Sequence, residues 1–174
     1  MSELVLSSLI RDVPDFPKPG IVFKDITPLL GHAEGFAHTI ERLAECVEPY
    51  QPTGLLAIES RGFIFGAALS VAMGVPLHLV RKPGKLPGEV VGQSYDLEYG
   101  QDRVEAHPEI FTEHASFALI DDLLATGGTA RAAIDLVHAH QSSVACCAFV
   151  IELAALRGRD RLAGCPVESL IQYA

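Results

Sequence analysis

The sequence has little of what marks a membrane, nucleic-acid or metal protein. No apolar run approaches the roughly 18 residues a membrane-spanning helix needs. The opening MSELVLSSLIRDVPDF lacks the basic start, long apolar stretch and small-residue cleavage site of a secretory signal, so the expectation is a cytoplasmic protein. Basic residues are outnumbered: the net charge of −9 argues against a general nucleic-acid binder, which needs a basic footprint. The four cysteines, Cys46, Cys146, Cys147 and Cys165, form no CxxC pair, so no zinc site is expected. All four read as small buried apolar residues, with Cys146 and Cys147 on opposite faces of a strand. There is no HExxH, and His138 and His140, two apart, do not share a helix face, so no histidine is given a catalytic role. Internal repeats, low-complexity tracts and linkers are also missing.

What remains suits one compact domain over 1–174, with 49% hydrophobic and 20% charged residues in 174. Leu4, Leu6, Leu9 and Ile10 point to a short opening helix. VPDFPKPGIVFKDITPLL carries four prolines yet keeps Phe16, Ile21, Val22, Phe23 and Ile26, so it reads as an irregular, packed segment. Phe36 to Val47 has helical spacing and ends at Pro49. GLLAIES, VPLHLVRK, FALIDD, SVACCAFVIEL and VESLIQY read as strands. RGFIFGAALSVAMG and TARAAIDLVHAHQ read as helices, LRGRDRLAG as a short helix or turn, and LLATGG as a loop. EVVGQSYDLEYG reads as a strand or hairpin arm, and EAHPEIF as surface connection. This alternation predicts an α/β fold with a mainly parallel twisted sheet covered by helices on both faces. Ligands in such sheets bind at the carboxyl ends of the strands. That rule puts Glu59 to Arg61, Arg81 to Lys82 and Asp121 to Thr129 on one rim.

The chemistry of the rim starts with DDLLATGGT. Amides at a helix N-terminus make an anion site, and glycines let a phosphate approach the main chain. A phosphate monoester fits Ala125, Thr126, Gly127, Gly128 and Thr129. Asp121 and Asp122 look misplaced beside a phosphate alone, but suit a ligand that also carries a vicinal diol. The plainer alternative is that the acids cap the next helix. The string is neither a Walker A loop, since Thr129 and not lysine follows Gly128, nor GxGxxG. Arg81, Lys82 and Lys85, with Arg61 as a further candidate, form a local basic cluster that can outweigh the global charge.

An apolar strand, two acids and TGGT resemble the ribose-phosphate signature of type I phosphoribosyltransferases. VPDFPKPGIVFKDITPLL, ESRGFIFGAAL, VRKPGKLPGE, YDLEYGQD, IDDLLATGGTA and FVIELAALRGRDRL, in that order from about Val13 to the C-terminus, resemble the adenine phosphoribosyltransferases. The resemblance implies transfer of the phosphoribosyl group from 5-phosphoribosyl-1-pyrophosphate to adenine, giving AMP and pyrophosphate, with Mg²⁺ held mainly by substrate and water. It implies a homodimer, with no nucleic-acid or membrane partner. Asp121 and Asp122 resemble the pair on the ribose hydroxyls, and 125–129 the 5′-phosphate cradle. Arg61 resembles the pyrophosphate-loop arginine, flanked by Ser60 and Gly62; Arg81, Lys82 and Lys85 resemble the other residues meeting the diphosphate. Glu98 and Tyr99 resemble the catalytic-loop pair, Glu98 managing the N7 proton of the base and Tyr99 closing the site. The proline-rich segment, about 1–30, resembles a hood over the base. There Val22, Phe23 and Lys24 read the adenine edge, and Leu123 flanks the ring. Phe16 is expected to be a plain core aromatic. Two alternatives stay open: a phosphoribosyltransferase for another purine, and a non-catalytic sensor of the phosphoribosyl ligand.

Overall fold

Residues 5–97 and 100–174 are described by the computed structural model. After a 3-10 turn at Leu6–Leu9, β1 (Arg11–Pro14) and β2 (Val22–Asp25) form an antiparallel hairpin, with Val13 opposite Phe23. The segment expected to be irregular is thus a short ladder closed by a turn. Asp15 adopts φ 57° there, and its Oδ1 accepts from the Gly20 amide at 2.7 Å. A short α1 (Thr27–Leu30) leads into α2 (Ala33–Val47). β3 (Gly54–Ile58), α3 (Gly62–Met73) and β4 (Leu77–Val80) follow as a parallel crossover unit. Gly74 stops α3 in the left-handed conformation, φ 67°, as its place after the apolar run predicts.

β5 (Val91–Leu97) and β6 (Gly100–Ala106) make a second antiparallel hairpin. The expectation of surface connection at EAHPEIF is corrected here. Val104, Glu105 and Ala106 are buried, and Glu105 exchanges backbone hydrogen bonds with Arg81 just past β4. Then come β7 (Ser116–Leu124), α4 (Gly128–Ala139), β8 (Ser143–Leu153), α5 (Gly158–Arg161) and β9 (Val167–Tyr173). The main sheet runs β4-β3-β7-β8-β9 and is parallel throughout.

Side-chain alternation along these strands builds two cores. Leu56, Ile58, Leu119, Cys147 and Phe149 meet α4 and the β5–β6 hairpin on one face. Leu55, Ile120, Cys146 and Ala148 meet α2 and α3 on the other. Cys146 and Cys147 do face opposite ways, but Cys46 and Cys165 are only partly buried. Burying each large apolar side chain contributes about 1.5–3 kcal/mol, which fixes the strand ends from which the rim residues project.

Candidate active site

β7 runs through the acid pair to Leu124, two residues further than LLATGG as a loop implied. Asp122 is buried and Asp121 half-buried at the carboxyl end of this central strand. The Asp122 amide donates to Asp121 Oδ1 at 2.8 Å. Arg61 Nε lies 2.9 Å from Asp122 Oδ2, but this ion pair has no directed hydrogen bond, and the buried oxygen keeps an unused acceptor site. Burial, reinforced by the charge of Asp122, pushes the Asp121 carboxyl well above its ordinary range. Burial also raises Asp122, against the pull of Arg61. Two adjacent, poorly solvated carboxylates of this kind are stabilised by hydroxyl donors, and a vicinal diol supplies two.

Neither acid caps α4. The N-cap is Gly127, at φ 78° and with no side-chain cap, so the first amides of α4 are left for an anion. A Cβ on Gly127 would stand 2.7 Å from the Gly158 carbonyl oxygen. Only glycine both adopts this turn and admits the start of α5. Asp121, Leu123, Ala125–Thr129 and Phe149 are among the residues lining a cavity of about 100 Å³. Asp121 and the glycine loop therefore share one depression, with Asp122 next to Asp121 along β7. Arg161, which the sequence reading passed over, brings Nη1 to 3.4 Å from where a Cβ on Gly128 would stand. It places a guanidinium beside the loop, and only the packing of α5 reveals it.

The basic residues gather at the ends of β3 and β4. The Glu59–Ser60 peptide is cis, and Ser60 is exposed next to Arg61. Arg81 is held in a fork by Glu59, with contacts of 3.2 and 3.0 Å, and donates to the Lys85 carbonyl at 2.7 Å. Burial favours a neutral Glu59, but Arg81 and the Lys82 amide prevail and hold its carboxyl below its usual range. Arg81 is thus pre-oriented, while Lys85 is exposed. Lys82 turns to the β5–β6 hairpin, bonding Asp102 and the Tyr95 hydroxyl, the latter at 2.9 Å. Tyr95 also lies 3.1 Å from Thr129 Oγ1. Tyr95 and Asp102 have no assigned part in the sequence reading, and Glu59 has only a place on the rim; Tyr95 and Asp102 meet through hairpin register, and Glu59 meets Arg81 through strand order.

The β1–β2 hairpin approaches from the side. The Arg61 guanidinium sits 5.0 Å from the Phe23 ring centroid, joining the hairpin to the acid pair. Phe16 is no core residue: it is 52% exposed and meets Phe23 edge-on at 5.2 Å. Val22 is exposed, leaving its main chain near the surface. Lys24 is tied down by Asp12 at 2.7 Å and by the Tyr173 ring at 3.8 Å. Its side chain is committed to the hairpin and β9. Glu98 and Tyr99 lie outside the described residues. Among the described residues no group of three or more His, Cys, Asp or Glu side chains could hold a metal ion.

Known proteins match this arrangement over nearly the whole chain. Residues 27–168 match the phosphoribosyl transferase domain family. The adenine phosphoribosyltransferase of Rhodospirillum centenum is 52% identical over 168 residues, covering 97% of this chain and 98% of that protein. The crystal structure of adenine phosphoribosyltransferase from Thermoanaerobacter pseudethanolicus superposes with a TM-score of 0.94 at 45% identity, covering 97% of this chain and 98% of the other. That from Saccharomyces cerevisiae, complexed with D-2,5-dideoxy-2,5-imino-altritol 1,6-bisphosphate and adenine, gives 0.88 at 36% identity, covering 95% and 96%. The parallel sheet with its rim of acids, glycines and basic residues is the type I phosphoribosyltransferase fold, and the chain belongs to the adenine phosphoribosyltransferase family.

Proposed function

We propose that this chain transfers the 5-phosphoribosyl group from 5-phosphoribosyl-1-pyrophosphate to adenine, giving AMP and pyrophosphate. The observation that carries this reading is the single depression at the end of β7. It sets the Asp121 carboxylate, with the buried Asp122 next to it in sequence, beside an uncapped helix N-terminus in a glycine loop. A ribose with free 2′- and 3′-hydroxyls and a 5′-phosphate uses both. The diphosphate meets Arg61, Arg81, Lys82 and Lys85, with the main chain of Ser60 and Gly62 beside it. Adenine lies under the hood, its edge read by the backbone of Val22, Phe23 and Lys24 and its faces met by Phe23 and Leu123. The hood, largely outside the matched span 27–168, is taken as part of one unit over 1–174.

In the reaction the bond from ribose C1 to the diphosphate oxygen breaks, and its electron pair leaves with pyrophosphate. Adenine N9 forms the new bond to C1. Positive charge develops on the ribose beside Asp121 and Asp122, and negative charge on the leaving group beside the basic residues. Preorganised charges at both ends lower the barrier more than they stabilise bound substrate. As N9 bonds to C1 the base gives up its N7 proton to Glu98, and Tyr99 helps exclude water. The Asp122 oxygen without a directed hydrogen bond and its acidic neighbour suit a Mg²⁺ ion bound chiefly by substrate oxygens, as this cation prefers one or two carboxylates plus phosphates. When bound, such an ion neutralises charge on the departing diphosphate.

A homodimer fits an unusual helix. α3 is apolar all round, and Ile64 and Val71 on it are exposed, as is Leu79 on the edge strand β4. A cytoplasmic location fits highly charged phosphorylated substrates, which do not cross membranes unaided. Among the described residues no helix is long and apolar enough to cross a membrane. The deciding assay supplies purified protein, the diphosphate donor and Mg²⁺ with adenine, guanine or hypoxanthine in separate reactions. AMP formation with adenine preferred is expected. No AMP would overturn the activity, and preference for guanine or hypoxanthine would reassign the base.

A further inference from the structure

Tyr95 sits at the centre of a cluster in which neither it nor Asp102 has a part in the reaction scheme. Its hydroxyl oxygen is 2.8 Å from Asp102 Oδ2, 2.9 Å from Lys82 Nζ and 3.1 Å from Thr129 Oγ1. Lys82 also pairs directly with Asp102. Tyr95 and Asp102 are register partners across the β5–β6 hairpin, so both side chains leave it on the same face. The Tyr95 ring is packed in the core next to the first turn of α4.

Donor accounting fixes the direction of each bond. An ionised Asp102 only accepts, so Tyr95 gives it the phenolic proton and Lys82 gives it one N–H. The Tyr95 oxygen then accepts from Lys82 and from the Thr129 hydroxyl. An ammonium has three N–H donors, and two are committed inward. The third is free of these two partners, and the Lys82 side chain is 38% exposed. Burial alone would neutralise Lys82, but Asp102 and Tyr95 outweigh it and keep the ammonium charged. Burial likewise opposes the charge on Asp102, which Lys82, the Arg103 amide and Tyr95 restore.

We infer that Tyr95 and Asp102 are positioning residues for the phosphoribosyl donor. Asp102 aims the Lys82 ammonium at the diphosphate, and Tyr95 ties that ammonium to Thr129 at the 5′-phosphate. One phenol thereby sets the spacing of two anion subsites without touching either ligand. The inference rests on the roles proposed above for Lys82 and Thr129. Its physical basis is that a long lysine side chain loses its rotamer freedom on folding and not on binding.

The test uses the full chain and two probes, inorganic pyrophosphate and ribose 5-phosphate, titrated calorimetrically at fixed ionic strength. Asp102→Asn and Tyr95→Phe keep the shapes of the side chains, and far- and near-UV circular dichroism establishes that both fold. Asp102→Asn should weaken pyrophosphate about tenfold, the order expected for freeing one lysine side chain, and leave ribose 5-phosphate within about twofold. Tyr95→Phe should weaken both probes. In steady state the donor KM should rise for both variants while the adenine KM holds. In a Lys82→Ala background, Asp102→Asn should add no further loss, because its effect runs through that lysine. Equal loss with and without Lys82 would mean a general structural effect and overturn the inference, as would tighter pyrophosphate binding by Asp102→Asn. If Lys82→Ala loses pyrophosphate and neither hairpin variant does, the inference falls while the proposed function stands. If the wild-type chain binds neither probe, the assignments of Lys82 and Thr129 fail and the inference fails with them.

Discussion

Replacing Gly62 with alanine should damage the fold and the site together, by an amount the packing sets. Gly62 opens α3 where that helix abuts the end of β7. A Cβ there would stand 2.8 Å from the Ile120 carbonyl oxygen, 2.9 Å from Asp121 Oδ1 and 3.1 Å from Asp121 Cα. The closest contact falls about 0.6 Å short of the 3.4 Å at which ordinary packing begins. Two of the three obstacles are backbone, so no side-chain rotation relieves them; α3 and β7 must part. Overpacking of this kind costs about 1–3 kcal/mol, against which alanine returns a fraction through helix propensity. In a chain of this size the net loss lowers Tm by roughly 2–8 °C. A separation of about 0.6 Å exceeds the roughly 0.5 Å within which a catalytic constellation must hold, so kcat/KM for the donor should fall about 10–100-fold. Differential scanning fluorimetry and a coupled pyrophosphate assay read the two effects. Gly31→Ala is the control, since its Cβ would meet only backbone oxygens at 3.5 and 3.7 Å. A Gly62→Ala protein with wild-type Tm and wild-type donor kinetics would refute the claim that this contact sets the position of the acid pair.

Asp121→Asn should trade function for stability. Removing a poorly solvated like charge beside Asp122 should raise Tm by roughly 2–8 °C, from about 1–2 kcal/mol of relief, while kcat/KM for the donor drops at least about tenfold. The acid pair also sets a pH signature. Its folded carboxyls hold protons above the ordinary range, so their contribution is most favourable below the unfolded carboxylate pKa. It is lost as pH rises through the raised folded values. Urea melts of wild type against Asp121→Asn across that interval should diverge with increasing pH, and parallel curves would remove the buried-charge argument. Glu98→Gln should lower turnover while pyrophosphate and donor still bind, as read by single-turnover kinetics and calorimetry; an unchanged rate would take Glu98 out of the chemistry. Arg161→Ala should raise the donor KM about 3–10-fold, the range for one charge-assisted contact at a partly exposed site, and leave the adenine KM alone. An equal rise for adenine would mean that Arg161 supports the fold and not the phosphate.

The sequence by itself determined the sheet and the stretch proposed to hold the sugar phosphate. Alternating apolar strands and helices of ten or more residues leave few options besides a parallel sheet, and its ligand rim follows from strand direction. Asp121, Asp122 and 125–129 all lie within the stretch 121–129, so their chemistry needs only a local turn to assemble, and that turn is written as Gly127 and Gly128. Only the tertiary structure decided the rest. Tyr95 meets Lys82 and Thr129 because a hairpin register and a crossover bring together residues 13 and 34 positions apart along the chain. Arg161 reaches the phosphate loop because α5 packs on it through Gly158. Phe16 is apolar yet exposed, since a tight hairpin turn holds it out at the surface beside Phe23, where periodicity gives no warning. Local pattern encodes what the backbone does over a few residues; contacts between distant segments depend on how the two faces of the sheet are covered, and no single stretch of sequence carries that information.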